Sequence, residues 1–317
     1  MGPSSQIGLP SPASPAEFSR AVFRHMSPVE LLLPYTPYSP IDWGFALRQR
    51  KDLSMLNTER TGAGKPIVLV HGLGSSVRTW DPILPLLQEQ REVIAIDLPG
   101  FGKSEPLTGE VTIATLTDAV EQFLRDENLG DADIVGSSMG ARMVVEMARQ
   151  GHAGTVVALD PGGFWNDTQV RVFNGSITAS VALVRRIQPV LPSLVQQAAG
   201  RTALLAQFSA APWKLDPDLV LTELRGFATS PSLDEARKSL AHGPRQEGAP
   251  QGTIKGTLAF GWGRADRVTP LSQAAVAMSL YPDATLHVFE DCGHFPHWDQ
   301  PQETARFILD VTAAGAS

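Results

Sequence analysis

Cysteine is almost absent from this sequence of 317 residues, in which Cys292 is the only example. A single thiol excludes an intrachain disulfide and a metal cluster held by several thiolates. The sequence also lacks the roughly 18 consecutive apolar residues of a membrane-spanning helix. Its start has neither the charges nor the apolar core of a signal peptide. We therefore expect a cytoplasmic protein without a membrane span.

Positive charge is scarce as well. The sequence has 26 Lys and Arg against 33 Asp and Glu, a net charge of −7, and its basic residues form no cluster. Proteins that bind nucleic acid through its phosphates usually carry a stripe of Lys and Arg on one face. The composition therefore argues against nucleic acid as a partner and predicts a solvated acidic surface.

Short apolar runs rich in β-branched residues alternate with amphipathic stretches from residue 66 onward. This pattern predicts an α/β fold with a mostly parallel central sheet flanked by helices. The apolar runs predict strands at Ile67–Val70, Val93–Ile96, Asp133–Gly136, Thr155–Leu159, Thr257–Gly261 and Thr285–Phe289. Helices are predicted over about 80–88, 114–128, 139–150, 270–280 and 300–313, and an antiparallel hairpin over Phe45–Leu56.

The alternation stops between residues 164 and 252, where apolar residues recur at helical spacing instead, as in Val170, Phe173, Ile177, Val181 and Val184. We interpret this stretch as a helical lid inserted before the last two strands. The predicted organisation has a tail and lead-in at 1–40, whose start is disordered, an α/β core formed by 41–163 and 253–317, and the lid at 164–252.

The pentapeptide Gly136-Ser137-Ser138-Met139-Gly140 follows a predicted strand and precedes a predicted helix. That context is typical of a nucleophile elbow, a sharp turn that holds a serine in a strained conformation and needs small flanking residues. Ser138 is therefore the candidate nucleophile, at the positive end of the following helix. The alternative is an ordinary turn of Gly and Ser without chemistry.

A serine hydroxyl needs a histidine to take its proton and a carboxylate to orient that histidine. Among the seven histidines, His71, His294 and His297 follow predicted strands, at the carboxyl ends where ligands gather in open α/β sheets. We predict His294 as the general base, because it lies in a turn between the last strand and the last helix. His297 is its local rival, with packing or helix capping as the alternative role.

Asp266 follows the penultimate predicted strand and gives the chain order Ser, Asp, His that is typical of such an elbow. We predict that it orients His294. Asp160, at the end of the strand before the helical stretch, is the second candidate, and its alternative role is to cap the turn before Pro161.

Attack on a carbonyl group builds negative charge on its oxygen, which two fixed backbone N–H groups can stabilise. Met139, directly after the nucleophile, is predicted to supply one donor. Leu73, in the loop His71-Gly72-Leu73-Gly74, is predicted to supply the other. His71 is interpreted as a structural histidine that fixes this loop by hydrogen bonding.

Together these segments make residues 66–312 resemble the α/β-hydrolase superfamily, in its lid-bearing branch of esterases, lactonases, C–C bond hydrolases and cofactor-free haloperoxidases. The resemblance rests on the elbow and on His71-Gly72, Asp97–Ser104, Gly263–Pro270 and Gly293-His294, which follow the family's order. Ser137 and Ala141 depart from it, since many relatives carry His and Gly there. The serine nucleophile argues against epoxide hydrolases and haloalkane dehalogenases, which use aspartate in this fold.

These residues predict a carboxylesterase-like serine hydrolase that cleaves an ester or lactone of a mainly apolar small molecule through an acyl-enzyme. One alternative is a C–C bond hydrolase or a cofactor-free perhydrolase or haloperoxidase with the same triad. Another is a receptor-like protein that binds a ligand with little turnover. No metal or organic cofactor is expected, and the oligomeric state is not predicted. The candidate substrate-binding residues are Trp80, Trp165, Phe173, Ile177 and Phe208.

Overall fold

A computed structural model describes residues 56–315 of the protein. Seven strands form one sheet: β1 (Thr58–Thr61), β2 (Pro66–Val70), β3 (Glu92–Ile96), β4 (Asp133–Ser137), β5 (Val156–Leu159), β6 (Leu258–Gly263) and β7 (Thr285–Phe289). Their order across the sheet is β1-β3-β2-β4-β5-β6-β7. Strand β1 is antiparallel to β3, and all other neighbouring pairs are parallel. The predicted tail at 1–40 and, apart from Leu56, the predicted hairpin lie outside the described residues.

Helices cover both faces of the sheet, which explains why the central strands are apolar along their length. Every residue of β4, β5 and β6 is buried. Neighbouring residues of one strand point to opposite faces; accordingly, Val68 belongs to one buried apolar cluster and Leu69 to another. The predicted mostly parallel sheet flanked by helices is confirmed.

Eleven α-helices lie within the described residues, none of them both long and apolar enough to cross a membrane. The first three are α1 (Leu84–Leu87), α2 (Ile113–Asp126) and α3 (Met139–Gln150). The next five are α4 (Asp167–Ile187), α5 (Leu191–Gln196), α6 (Ala198–Leu205), α7 (Pro217–Thr229) and α8 (Leu233–His242). The last three are α9 (Ser272–Leu280), α10 (Pro296–Asp299) and α11 (Pro301–Ala314).

Residues 164–252, called the inserted segment below, contain α4 to α8 and connect β5 to β6. The five apolar residues that recur at helical spacing are the buried residues of α4. This helix begins where the Asn166 side chain accepts hydrogen bonds from the N–H groups of Thr168 and Gln169, which satisfies two of its free donors. That the segment acts as a lid stays a prediction.

The carboxyl ends of the parallel strands meet at one edge of the sheet. His71 follows β2, Ser138 follows β4 and Asp160 follows β5, while the loops after β6 and β7 carry Asp266 and His294. Candidate catalytic residues that are far apart in sequence therefore reach the same edge, as expected for an open sheet of this kind.

Candidate active site

Ser138 lies in a sharp turn between β4 and α3. Its backbone angles are φ 54° and ψ −110°, a conformation that costs a non-glycine residue about 1–3 kcal/mol and persists only where the surroundings fix it. The N–H of Ser138 is held by the carbonyl of Leu159 at 2.9 Å. A Cβ on Gly136 would lie 2.4 Å from the Gly140 oxygen, so the flanking glycines let the strand and the helix approach each other. This geometry is that of a nucleophile elbow.

Two hydrogen bonds join Ser138, His294 and Asp266. The Ser138 Oγ lies 2.8 Å from His294 Nε2, and His294 Nδ1 lies 2.8 Å from Asp266 Oδ2. An ionised carboxylate only accepts, so Nδ1 carries the proton and Nε2 is free to accept the Ser138 hydroxyl. His294 is 1% exposed and Asp266 5%, which limits competition from water. The structure thus brings the three residues together in the arrangement needed to remove the Ser138 proton.

Asp266 accepts hydrogen bonds from residues of its own loop. The N–H groups of Val268 and Thr269 donate to Oδ1 at 2.7 and 3.0 Å, and the Thr269 hydroxyl donates to Oδ2 at 2.6 Å. Burial opposes ionisation, but the charge of His294 and hydrogen bonds from His294, Asp160 and Thr269 hold the pKa of Asp266 below its ordinary value. The carboxylate is therefore ionised at neutral pH and able to orient His294.

Asp160, the second candidate for the acid, is fully buried next to Asp266. Its Oδ1 accepts the Gly263 N–H at 2.8 Å, whereas its Oδ2 has no donor beside it in the described part of the chain. Burial, and then the negative charge of Asp266, raise the pKa of Asp160 well above its ordinary value. Two neighbouring buried carboxyls do not both ionise readily, so Asp160 keeps a proton and donates it to Asp266. The geometry favours Asp266 as the partner of His294.

The two candidate oxyanion donors, Met139 and Leu73, lie in segments next to the nucleophile. Met139 is the first residue of α3, so the helix offers no carbonyl to its N–H. Leu73 follows Gly72, where a Cβ would lie only 3.1 Å from Ser138 Cβ. The loop is fixed by His71, whose Nε2 accepts the Leu98 N–H at 2.9 Å and whose Nδ1 donates to the Gly72 oxygen at 2.7 Å. The oxyanion role of the two N–H groups stays a prediction.

A largely apolar cavity opens onto Ser138 and His294. Beside these two residues, the α/β core contributes Gly72, Leu73, Ser75, Val268, Phe295 and Trp298 to its wall. The inserted segment contributes Phe173, Ile177, Leu205, Phe208, Glu223, Leu224, Phe227 and Leu240. Three of the five candidate substrate-binding residues, Phe173, Ile177 and Phe208, therefore line this cavity, and their contact with a substrate stays a prediction.

Trp80 and Trp165, the other two, do not line this cavity. Trp80 is fully buried in the same apolar cluster as Leu69, and its ring centroid lies 4.6 Å from that of His297. Trp165 lies behind the wall and stacks on Phe173 at 4.8 Å. We correct the sequence prediction accordingly and leave both out of the substrate-binding set.

His297, the local rival of His294, lies away from Ser138. Its Nε2 is 3.1 Å from the Thr79 hydroxyl, and its ring is fully buried. Burial, followed by the nearby His294, lowers the pKa of His297 to about 3. The ring is therefore neutral at physiological pH and has the packing role that was its alternative interpretation.

Glu223 is a cavity residue that sequence reasoning did not identify. It lies on α7 between Val220 and Leu224, which are both buried. The available signal was an acidic residue within the apolar stripe of a predicted helix. Sequence alone does not show that this stripe faces a cavity and not the interior of the core.

Asp160, Asp266 and His294 form the one group of potential metal ligands found among residues 56–315, with ligand atoms within 4.8 Å of one another. The Asp266 oxygens already accept four hydrogen bonds, including the one from His294 Nδ1. The proton that Asp160 keeps removes one of the two carboxylate charges, and the Asp266 oxygens are occupied by donors. These contacts favour a hydrogen-bonded group that orients His294 over a metal site.

Comparison with known proteins identifies the family of this chain. The model of a family described as "Alpha/beta hydrolase family" matches residues 67–307. The sequence is similar to the 2-hydroxy-6-oxononadienedioate/2-hydroxy-6-oxononatrienedioate hydrolase of Cupriavidus pinatubonensis, with 27% identity over 262 residues, 79% of this chain and 88% of that protein.

Two solved structures have a similar fold. A thermophilic esterase from Thermogutta terrifontis superposes with a TM-score of 0.65 and 18% identity, over 83% of this chain and 94% of that chain. The enol-lactonase from Burkholderia xenovorans LB400 superposes with a TM-score of 0.64 and 19% identity, over 81% of this chain and 96% of that chain.

Proposed function

This chain belongs to the alpha/beta hydrolase family, and on that premise we propose that it is a serine hydrolase that cleaves a carboxylic ester or lactone of a mainly apolar small molecule. The observation that supports this proposal most is the hydrogen-bonded series from Ser138 through His294 to Asp266, which opens onto an apolar cavity. An isolated serine hydroxyl is a poor nucleophile, whereas one bonded to a neutral imidazole can attack a carbonyl carbon.

In the proposed first step, Ser138 Oγ bonds to the substrate carbonyl carbon while its proton passes to His294 Nε2. The ionised Asp266 stabilises the resulting imidazolium and keeps its Nδ1–H oriented. Negative charge on the carbonyl oxygen is stabilised by the N–H groups of Leu73 and Met139. The C–O bond to the leaving alcohol then breaks, and His294 returns the proton to that oxygen.

In the second step, water hydrolyses the acyl-enzyme. His294 Nε2 takes a proton from the water, whose oxygen attacks the acyl carbon, and then returns the proton to Ser138 Oγ. The product is a carboxylic acid, and for a lactone it carries its alcohol on the same molecule. The residues present are sufficient for both steps without a further group.

Hydrolysis of a carbon–carbon bond is the second candidate reaction. It is considered because the Cupriavidus hydrolase, to which this chain is similar, is named for a nonadienedioate substrate. A dioate carries two carboxylates, for which Arg and Lys are the usual partners in proteins. No Arg or Lys occurs among the described residues that line the cavity. This favours an uncharged ester or lactone over a dianionic substrate.

Two further expectations accompany the proposed activity. We propose that the inserted segment acts as a lid, because it supplies half of the cavity wall above Ser138 and would have to move for a substrate to enter. We also propose the cytoplasm as the location, since the one cysteine, Cys292, is a free thiol and fits a reducing compartment.

Labelling with a fluorophosphonate probe tests the nucleophile. The parent protein is expected to be labelled, and Ser138→Ala to lose the label. Ser137→Ala is the matched control, since the neighbouring Ser137 is buried and its Oγ has no hydrogen-bond partner among the described residues. A parent protein that takes up no label would instead support the ligand-binding alternative.

A substrate panel then separates the hydrolytic reactions. Turnover of p-nitrophenyl esters or lactones, lost in Ser138→Ala, supports the proposed activity. Turnover confined to vinylogous diketones would identify a C–C bond hydrolase. Failure to hydrolyse any ester or lactone would contradict the proposal.

A further inference from the structure

Among residues 56–315, Glu223 is the one acidic side chain in the wall of the cavity. It lines the same cavity as Ser138 and His294, and it is only 8% exposed. Its Oε1 has no hydrogen-bond partner in the described part of the chain. A buried carboxyl oxygen without a partner is unfavourable in a folded protein and calls for an explanation.

The position of Glu223 is fixed by the helix that carries it. Asp216 caps the start of helix α7, and its carboxylate accepts hydrogen bonds from the N–H groups of Asp218 and Leu219 at 3.0 and 2.9 Å. One turn beyond Glu223, a Cβ on Gly226 would lie 2.5 Å from the Gly74 oxygen. The helix therefore packs directly against the loop of the candidate oxyanion donor Leu73.

The surroundings keep the carboxyl uncharged. Burial raises the pKa of Glu223 to about 8. A hydrogen bond from the Ser75 hydroxyl acts in the opposite direction, and the negative charges of Asp81 and Asp97 add to the rise. The other titratable group in the cavity wall is His294, and no Lys or Arg is found among the described lining residues. At neutral pH most Glu223 side chains therefore present one O–H donor to an otherwise apolar space.

We propose that Glu223 is a specificity-determining residue that donates a hydrogen bond to an uncharged acceptor oxygen of the substrate, away from the carbonyl that Ser138 attacks. A substrate carboxylate at this place is rejected, since no Lys or Arg among the described lining residues would stabilise it. This inference rests on the proposed function and narrows its substrate class: an apolar ester or lactone that carries a further carbonyl or ether oxygen.

The test uses p-nitrophenyl esters that share one acyl chain length and differ in the terminal group: an alkyl group, a methyl ketone, an amine or a carboxylate. A second series places the same groups on the alcohol side, because the cavity wall does not distinguish the acyl from the alcohol subsite. The measured quantity is kcat/KM for each ester relative to the alkyl ester of its series. This ratio cancels effects on the triad that all substrates share.

In the parent protein, kcat/KM for the ketone ester is expected to exceed that for the alkyl ester by about tenfold. This is the effect of one hydrogen bond to an uncharged group. The carboxylate ester is expected to be the poorest. Glu223→Gln keeps an N–H donor and should keep the ketone preference, whereas Glu223→Leu should lose it. Asp218→Asn, at an exposed acid on the same helix, is the control and should behave as the parent.

The pH dependence gives a second readout. As pH rises through about 8, the Glu223 carboxyl of the parent protein loses its proton. The relative kcat/KM of the ketone ester should therefore fall, and that of the amine ester should rise. Glu223→Gln cannot ionise and should show neither change.

Three results would overturn the assignment: a ketone preference that survives in Glu223→Leu, an amine preferred already at neutral pH, or a carboxylate preferred over the alkyl ester. In each of these cases esters are still hydrolysed, and the proposed function stands. Absence of ester turnover together with absence of fluorophosphonate labelling would instead refute the proposed function itself.

Discussion

Asp160 and Asp266 show how two identical side chains acquire different roles at the scale of single residues. Both are buried at the ends of neighbouring strands, but the pKa of Asp266 is lowered and that of Asp160 is raised. The difference arises because Asp266 faces His294 and three further hydrogen-bond donors, the N–H groups of Val268 and Thr269 and the Thr269 hydroxyl. Environment, and not residue type, therefore decides which carboxyl orients the histidine.

The assignment predicts unequal effects of two isosteric substitutions. Asp266→Asn should lower kcat for an ester by about 10⁴-fold, because an amide no longer fixes the His294 tautomer that accepts the Ser138 proton. Asp160→Asn keeps an N–H donor toward Asp266, so its kcat for the same ester should stay within about tenfold of the parent value. Steady-state kinetics on one p-nitrophenyl ester measure both. Equal losses in the two variants would show that Asp160 shares the role of the acid.

Glu223 also predicts a pH dependence of stability. The carboxyl ionises near 4.5 in the unfolded chain and near 8 in the folded one. Between these values the folded state holds a proton that the unfolded state has lost, so the free energy of unfolding falls as pH rises through this window. Glu223→Gln has no such proton, and its stability relative to the parent should grow with pH. Urea denaturation of both proteins at the two ends of the window measures the difference. Free energies of unfolding that change in parallel with pH in the parent and in Glu223→Gln would contradict the prediction.

At the residue scale, the sequence was enough to nominate Ser138, His294 and Asp266, because each follows a predicted strand within a short motif of small or turn-forming residues. The sequence did not identify Glu223 as a cavity residue, and it wrongly predicted that Trp80 lines the cavity. Whether an apolar or acidic residue on a helix faces a cavity depends on how the helix is rotated against its neighbours, which local periodicity does not specify.

At the scale of elements, α4 carries cavity residues on one face and exposed residues on the other. Ile177 is buried and lines the cavity, whereas Val172 is 60% exposed. Ile177→Ala should lower stability by about 2–5 kcal/mol and enlarge the cavity. The acyl chain length with the highest kcat/KM should therefore increase.

Val172→Ala on the same helix is the matched control. It removes an exposed side chain, so its stability should stay within about 0.5 kcal/mol of the parent and its chain-length optimum should be unchanged. Kinetics over a series of p-nitrophenyl esters and urea denaturation provide both measurements. An unchanged optimum in Ile177→Ala would show that the acyl chain does not reach α4.

The strands differed in how well the sequence predicted them. Strands β2 to β6 are mostly apolar along their length because they are covered on both faces. Strand β1, with the sequence Thr-Glu-Arg-Thr, was not predicted. It lies at the edge of the sheet, where burial is partial and polar residues are tolerated, and its pairing with β3 is a long-range contact.

At the scale of the whole molecule, a buried ion pair and the hydrogen-bonded series of Ser138, His294 and Asp266 lie at opposite ends of the sheet. Asp133, the first residue of β4, is buried and forms an ion pair with Arg91 at 2.5 Å. Arg91 also donates to the Thr312 hydroxyl of α11 at 2.5 Å. These bonds join two strands and the last helix at the amino edge, one strand length away from Ser138.

Asp133→Ala should lower the free energy of unfolding by about 3–5 kcal/mol, because it leaves the Arg91 charge buried without a partner. The kcat per folded molecule should be unchanged. Asp234→Ala removes an exposed ion pair with Arg185. It should lower the free energy of unfolding by no more than about 1 kcal/mol. Urea denaturation and active-site titration measure the two quantities. A loss of kcat in Asp133→Ala with folding intact would contradict this separation of the two ends.

The topology of the molecule explains why the place of the site was predictable and its wall was not. Parallel strands bring their carboxyl ends to one edge regardless of the loops, so the order of the strands locates the triad. The wall depends on the packing of five inserted helices whose mutual contacts leave no local signal.

The cavity wall is shared equally between two parts of the sequence. Eight of its sixteen described lining residues come from the continuous segment 164–252, while Ser138, Asp266 and His294 lie outside that segment. A recombination event that replaced this stretch would exchange half of the substrate-contacting surface at once and leave the reaction chemistry intact. Under the proposed function, the residues that would select the substrate and those that would carry out the reaction therefore lie in largely separate parts of the sequence.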